Sequence, residues 1–284
     1  MALGEQNRVT RTSTLESYRE RMVRALVHIQ DHLDEPLPLD ELARVAAFSP
    51  YHFHRIFRGL IGESVKEHVR RLRLERAAQR LRRSDRTVTE IAFDAGYQAH
   101  ESFTRAFHAR FGMAPSEFRD VSDPPPGGGA PLDAHVESIG GMRVVFLRHV
   151  GPYDTVGSTW MRLVNWAWPK GLLGPATAFI GICHDDPEIT EPDKLRYDAA
   201  IAVPPQVEPQ GEIGVRDLQA GDYGVAIHRG PYHRLGDTYA RLCGEWLPAS
   251  GRELCSAPSL EIYLNSPQNT APEDLLTKVC LPLE

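Results

Sequence analysis

The chain has 284 residues, 42% of them hydrophobic and 25% charged, a composition and length that suit two cored domains. No stretch approaches the ~18 to 20 consecutive apolar residues that span a bilayer, and the opening MALGEQNRVTRTST lacks the apolar centre of a secretory signal, so no membrane partner is expected. The net charge of −6 conceals an asymmetry. Up to Ser122 there are 20 Lys and Arg against 17 Asp and Glu, a balance of +3, and 19 of those cations are Arg. The remainder holds 12 against 21, a balance of −9, so the two halves suit different partners and the first suits an anion.

In chain order, Leu15, Tyr18, Met22, Leu26, Ile29 and Leu33 form the apolar stripe of a first packing helix. Next come Leu39, Leu42, Ala43 and Ala46, a turn at Ala47, and a second helix carrying Phe53, Ile56 and Phe57. The same pattern returns as Val88, Ile91, Ala92 and Ala95, a turn at Gly96, then Phe103, Ala106 and Phe107. A short helix, a tight turn and a second helix make a helix-turn-helix, so two units are expected, about 39–58 and 88–111. Ser49-Pro50 and the TVTE box at Thr87 to Glu90 supply helix starts. Between the units, residues 64–84 read as one long Arg-rich helix opened by Ser64 and Glu67.

Opposite the apolar stripes lie Tyr51, His54, Arg55 and Arg58 in the first unit, and His100, Glu101, Thr104 and Arg105 in the second. Such side chains reach base edges and phosphates from a helix laid in a major groove. The stretch IAFDAGYQAHESFTRAFHARFGMAPSEFR closely resembles the second helix-turn-helix of the AraC/XylS family of transcription regulators, and LDELARVAAFSPYHFHRIFRGLIGES resembles the first. The resemblance covers roughly Leu15 to Arg119 and implies a double-stranded DNA partner, with RNA polymerase as a further one. It places Tyr51, His54, Arg55, His100, Glu101, Thr104 and Arg105 as base readers. His54 stands where several relatives carry Gln, so the bases read are not inherited.

SDPPPGGGAPLD, residues 122–133, interrupts any helix or strand and reads as a linker between a DNA-binding domain, 1–121, and a second domain, 134–284. In the second domain HVGPYDTVG at His149 is rewritten as HRGPYHRLG at His228. The match runs on through Thr159, Trp160, Arg162 and Leu163, which recur as Thr238, Tyr239, Arg241 and Leu242. Strand-like runs flank each copy: MRVVFLRH and YGVAIH before, FIGICHDDP and LEIYLNSP after, then YDAAIAVP and LTKVCLP. Each unit is read as strand, turn, helix, strand, strand, and two units are expected to share one curved antiparallel sheet with the helices on one face. The overall fold class is thus an all-α double helix-turn-helix domain followed by a duplicated α+β domain.

The duplication fails at Glu261, whose counterpart is Gly181. A mid-strand carboxylate beside Tyr263 suggests either an exposed sheet edge or a ligand cleft, the cleft being expected opposite the helix layer. Trp166, Trp168, Tyr153, Tyr197 and Tyr232, with Tyr223 and Trp246, form the aromatic pool from which a wall for a cationic or flat ligand is drawn. The paired Gly-Pro-Tyr turns, ICHDDP, RYDAAIAVP and LEIYLNSP resemble the GyrI-like effector-binding domain, over roughly Ala134 to Glu284. That resemblance implies a small-molecule effector with Glu261 in its pocket. Some similar domains hydrolyse electrophilic genotoxins with a pocket Glu and a Tyr, and a protein-binding role for this half is the other alternative.

No Gly-rich phosphate loop, catalytic triad ordering or metal-ligand spacing is visible, so no cofactor, metal or catalytic residue is expected. Cys183, Cys243, Cys255 and Cys280 read as free thiols of a cytoplasmic protein.

Overall fold

The computed structural model describes residues 2–120, 132–255 and 257–284, with side chains from residue 17 onward. Most of the expected linker, and the Leu15 side chain of the first stripe, lie outside the described residues. The chain divides into two compact units, Met1–Val121 with Pro209–Gly214, and Ser122–Glu208 with Val215–Glu284. Residues 209–214 thus group with the helical unit, although the repeat alone assigns them to the strand-rich half.

The first unit is helical: α1 (Ala2–Asp31), α2 (Leu39–Val45), α3 (Pro50–Ile61), α4 (Val65–Arg83), α5 (Val88–Asp94), α6 (His100–Phe111) and α7 (Pro115–Asp120). Met22, Ala25, Ile29 and Leu33 pack with Leu42, Ala43, Ala46, Phe53, Phe57 and Leu72 into one core. Start signals work as chemistry requires. The Ser64 and Thr87 side chains each accept from the backbone of the Glu three residues on, and each Glu reaches back, closing a capping box. Both helix-turn-helix units use the same turn. Ala47 (φ 52°) and Gly96 (φ 82°) are left-handed, and the next amide bonds back: Phe48 N–H to Ala43 O at 2.8 Å, Tyr97 N–H to Ala92 O at 3.0 Å.

The Arg-rich helix α4 is largely internal glue. Glu75, 1% exposed, accepts from Arg71 at 3.1 Å and from Arg110 at 3.1 Å. Arg73 donates to the carbonyls of Leu33 and Glu35, Arg76 to Asp34, and Arg80 to Asp94. Burial tends to raise the Glu63 carboxyl, but its bonds to His68 and Arg71 outweigh this and hold it at about 2. These guanidiniums tie the turn after α1, together with α5 and α6, to the connecting helix.

The strand-rich half forms one sheet, with eight strands among the described residues: β1 (Ala134–Ile139), β2 (Met142–Val150), β3 (Phe179–Cys183), β4 (Arg196–Ala202), β5 (Ile213–Leu218), β6 (Gly221–Arg229), β7 (Ser259–Tyr263) and β8 (Leu276–Pro282). Their order is β1-β6-β8-β7-β3-β4-β2-β5, with β1 through β2 antiparallel. Exchanging β1–β4 for β5–β8 reverses this order onto itself, so the duplication is a pseudo-twofold in the sheet. Each repeat has one more strand than its sequence pattern announces. β1 and β5 begin each repeat and pair with the other repeat's second strand, β1 on β6 and β5 on β2, locking the halves together.

Two helices follow the Gly-Pro-Tyr turns: α8 (Gly157–Ala167), and α9 (Leu235–Arg241), which continues through a π-helical turn, Leu242–Trp246, into α10 (Leu247–Ser250). The repeated His and Thr are a clamp on the turn. His149 Nε2 donates to Pro152 O at 3.1 Å while Nδ1 meets Thr159 Oγ1 at 3.2 Å; His228 does the same with Pro231 O and Thr238 Oγ1. Gly151 (φ 141°) and Gly230 (φ 134°) make the strand exit that a side chain would strain. Leu235 and Leu242 pack on Ala226, Val279 and Leu281, a single alternation of β6 and β8.

Candidate functional site

In the helical unit, the two second helices of the helix-turn-helices bury one stripe and expose the other. Phe53, Phe57, Phe103 and Phe107 are 0% exposed. Tyr51, His54, Arg55 and Arg58 on α3, and His100, Glu101 and Arg105 on α6, are exposed as the spacing predicts. Thr104 is half-buried, and its hydroxyl is returned to the backbone, donating to His100 O at 3.0 Å. The Arg55 guanidinium lies 4.9 Å from the centre of the Tyr51 ring, so the two present a joint cationic and aromatic surface.

In the sheet unit, Glu261 lies on the central strand β7, between β8 and β3, and is 7% exposed. An edge position is therefore excluded. Register places Glu261 directly opposite Gly181 and Val279, and Tyr263 opposite Phe179 and Thr277. Val279 is covered by α9, so the Glu261 face is the helix-facing side of the sheet. The expectation of a cleft opposite the helices is overturned by this parity.

Among the described residues, two phenols and a thiol, all uncharged, meet the carboxylate. Tyr263 Oη donates to Oε2 at 2.6 Å, Tyr239 Oη from α9 donates to Oε1 at 3.3 Å, and the uncharged Cys183 thiol is the third group facing it. Because Tyr263 spends its proton on Glu261, its oxygen accepts from Tyr197 at 2.8 Å, and Tyr197 in turn accepts from Trp160 Nε1 at 3.1 Å. The relay runs from α8 through β4 to β7. Burial pushes the Glu261 carboxyl up, and the bonds from Tyr263, Cys183 and Tyr239 oppose that. Burial likewise drives the phenols of Tyr197, Tyr239 and Tyr263 well above their usual range, keeping them neutral donors.

Of the expected aromatics, Tyr197 and Tyr263 join this cluster. Tyr232 stacks edgewise on Tyr263 with centroids 5.3 Å apart, and Tyr153 lies 6.0 Å from Tyr197 with its hydroxyl on Asp185 O. Trp166 and Trp168 do not join it. The buried stripe of α8 is Thr159, Leu163 and Ala167; Trp168 is 73% exposed, and Trp166 lies under Lys170. The cluster instead takes Trp160 and Tyr239, the same position in the two repeats. Their identity as paired repeat aromatics was the signal, and the side chains they meet, Tyr197 on β4 and Glu261 on β7, lie on the inner strands of the sheet. Cys183, the repeat counterpart of Tyr263, carried no signal beyond that.

A family model described as a GyrI-like small molecule binding domain matches residues 133–284, more than half the chain, and one described as a helix-turn-helix domain matches residues 42–120. The regulatory protein SoxS of Salmonella typhimurium is 33% identical over 101 residues, which are 35% of this chain and 94% of SoxS. The chain belongs to the AraC-type regulators and carries a GyrI-like domain. The regulator also matches the transcriptional regulator Rob of the same organism, 34% identical over 98 residues, 34% of this chain. The regulator spans nearly all of SoxS but about a third of Rob. Among solved structures it is similar to the EcmrR C-terminal domain, at 20% identity and TM-score 0.46, over 54% of this chain and 98% of that one. The regulator's helix-turn-helix unit is a DNA-binding element and its sheet unit a small-molecule sensor. No described helix is long and apolar enough to cross a membrane.

Proposed function

We propose that the sheet unit senses a hydrophobic cation, held by Glu261 within the Trp160, Tyr197, Tyr232, Tyr239 and Tyr263 rings, and that occupancy alters how the helical unit acts at a promoter. The observation that carries this reading is a buried carboxylate whose hydrogen-bond donors among the described residues, the Tyr263 and Tyr239 phenols, are uncharged. A buried anion without a cationic partner is costly, and a cationic guest with aromatic affinity offsets that cost. Tyr51, His54, Arg55 and Arg58 on α3, with His100, Glu101, Thr104 and Arg105 on α6, are the proposed DNA contacts, with double-stranded DNA and RNA polymerase as macromolecular partners. The protein acts in the cytoplasm, which accords with four free cysteines. It is a sensor and not an enzyme.

The test is calorimetric titration of wild type and Glu261→Gln with tetraphenylphosphonium and with neutral triphenylphosphine oxide. Glu261→Gln should weaken the cation about tenfold to a hundredfold and spare the neutral compound. Equal affinities in both proteins would remove Glu261 from the account. The short Tyr263 to Glu261 bond also suits a general base, so hydrolysis of an electrophilic substrate abolished by Glu261→Gln would favour the enzymatic reading.

A further inference from the structure

The repeats differ on the helix-facing side of the sheet at a second place. Tyr197 on β4 corresponds to Thr277 on β8, since each lies opposite its repeat's turn histidine, Tyr197 opposite His149 and Thr277 opposite His228. In the first repeat the space above Gly181 is filled by Tyr197: a methyl group on Gly181 would come within 2.8 Å of Tyr197 Cε2 and 2.9 Å of Cζ. Its hydroxyl is bonded to both Trp160 and Tyr263. The first repeat thus closes the space above its own glycine.

The second repeat does not. Its glycine is replaced by Glu261, and its strand tyrosine by Thr277, which brings no ring to cover the carboxylate. Thr277 is 0% exposed, and its Oγ1 has no hydrogen-bond partner among the described residues. Buried hydroxyls are nearly always bonded, so an orphan calls for a reason. Cross-strand register puts Thr277 directly opposite Tyr263 and one step diagonal to Glu261, on the same face. Diagonal neighbours in a sheet are within about 7 to 8 Å, the span of a small organic ligand.

We infer that the ligand lies over the second repeat, with the Thr277 hydroxyl as a hydrogen-bonding subsite beside Glu261, so that preferred ligands are hydrophobic cations also bearing a hydroxyl or carbonyl group. This rests on the reading of Glu261 as the cation anchor. A plain cation satisfies the carboxylate and leaves Thr277 orphaned; a cation with a polar arm satisfies both. Thr277 therefore sets specificity within the cation class.

Two matched probes separate the contributions: propyltriphenylphosphonium and (3-hydroxypropyl)triphenylphosphonium, titrated calorimetrically into the full chain. Wild type should prefer the hydroxylated probe about threefold to tenfold, the worth of one net hydrogen bond. Thr277→Val, which keeps shape and removes the hydroxyl, should abolish that preference without weakening the plain probe. Thr277→Ser should retain the preference, and Thr277→Ala, which also lacks the hydroxyl, should abolish it as well and takes the valine variant's place should that not fold. Glu261→Gln should weaken both probes. A preference unchanged in Thr277→Val, or absent from wild type and Thr277→Ser alike, overturns the Thr277 subsite while the loss in Glu261→Gln upholds the anchor. Binding of both probes unaffected by Glu261→Gln overturns the anchor itself.

Discussion

Gly181 and Glu261 face each other directly across the central strand pair, and they are the same residue position of two repeats. A duplicated fold that was symmetric here would carry two glycines or two carboxylates at its axis. Two carboxylates would repel at close range, and two glycines would hold nothing. One of each puts a single charge at the centre and gives its counterpart's space to Tyr197. Gly181→Ala should therefore cost about 1 to 3 kcal/mol by forcing Tyr197 aside. All four tryptophans lie in this unit, so tryptophan fluorescence during urea unfolding reads it selectively. A stability unchanged within about 0.5 kcal/mol would mean that Tyr197 yields freely and does not pin the relay.

Two buried groups give this unit opposite pH slopes. Burial lowers His184 to about 4, against the pull of Asp198, while an unfolded His titrates near 6.5. The unfolded chain then binds more protons, so this contribution is complete above about pH 6.5 and is lost as pH falls toward 4. Glu261 is raised instead, so the folded state binds more protons than the unfolded one. Its contribution is present at low pH and is lost as pH rises from its unfolded value of about 4.3 through its folded one. Glu261→Gln removes only the second slope. The stability of Glu261→Gln relative to wild type should accordingly grow between pH 4.5 and neutrality, and a difference independent of pH would show that Glu261 titrates normally.

The two helix-turn-helix turns offer a matched pair of substitutions. Ala47 holds φ 52°, a conformation that costs a residue with a Cβ about 1 to 2 kcal/mol. Ala47→Gly should be neutral to stabilising by up to about 1 kcal/mol. Gly96→Ala should destabilise by more than that, because φ is 82° and the methyl group would lie 2.6 Å from Arg73 Nη1. Thermal melts followed at the helical circular dichroism band decide between these signs, and equal effects of the two changes would contradict the shared turn geometry.

On the DNA side, Arg55→Ala and Arg105→Ala should each cost about 1 to 3 kcal/mol of specific binding and relax preference at a base pair, with stability unchanged, since both guanidiniums are exposed. Arg71→Ala should do the reverse. It removes the guanidinium shared by Glu63 and the buried Glu75, which keep His68 and Arg110, and should destabilise by about 1 to 3 kcal/mol. Anisotropy titrations with operator and scrambled duplexes, paired with melts, separate these classes. Sequence preference surviving both Arg55→Ala and Arg105→Ala would show that other residues read the bases.

Much of this fold was legible because repeats advertise themselves. The helix-turn-helix duplication, the capping boxes at Ser64 and Thr87, and the Glu261 against Gly181 asymmetry all rest on short-range chemistry that a sequence displays. β1 and β5 were missed because each is a six-residue edge strand, and strand exchange between repeats is a long-range choice that no local pattern records. Trp166 and Trp168 were drawn into the aromatic pool by composition, whereas the buried stripe set by Thr159, Leu163 and Ala167 leaves Trp168 outward. The arginines of α4 count toward a front half whose charge suits an anion, yet Arg71 pairs with Glu75 on the same helix and with Glu63 just ahead of it, and Arg76 and Arg80 meet Asp34 and Asp94, 42 and 14 residues away, only on folding.

The central claim, that an unneutralised buried carboxylate receives a cation, is tested most directly by counting protons. Tetraphenylphosphonium should be titrated into wild type and Glu261→Gln in buffers of differing ionisation enthalpy, at several pH values from 5 to 8. Wild type should release a fraction of a proton on binding and bind more tightly as pH rises through the Glu261 pKa, because the cation favours the charged form. Glu261→Gln should show weaker binding with neither proton release nor pH dependence. Cation binding in wild type with no proton release at any pH, and equal affinity in Glu261→Gln, would contradict the account.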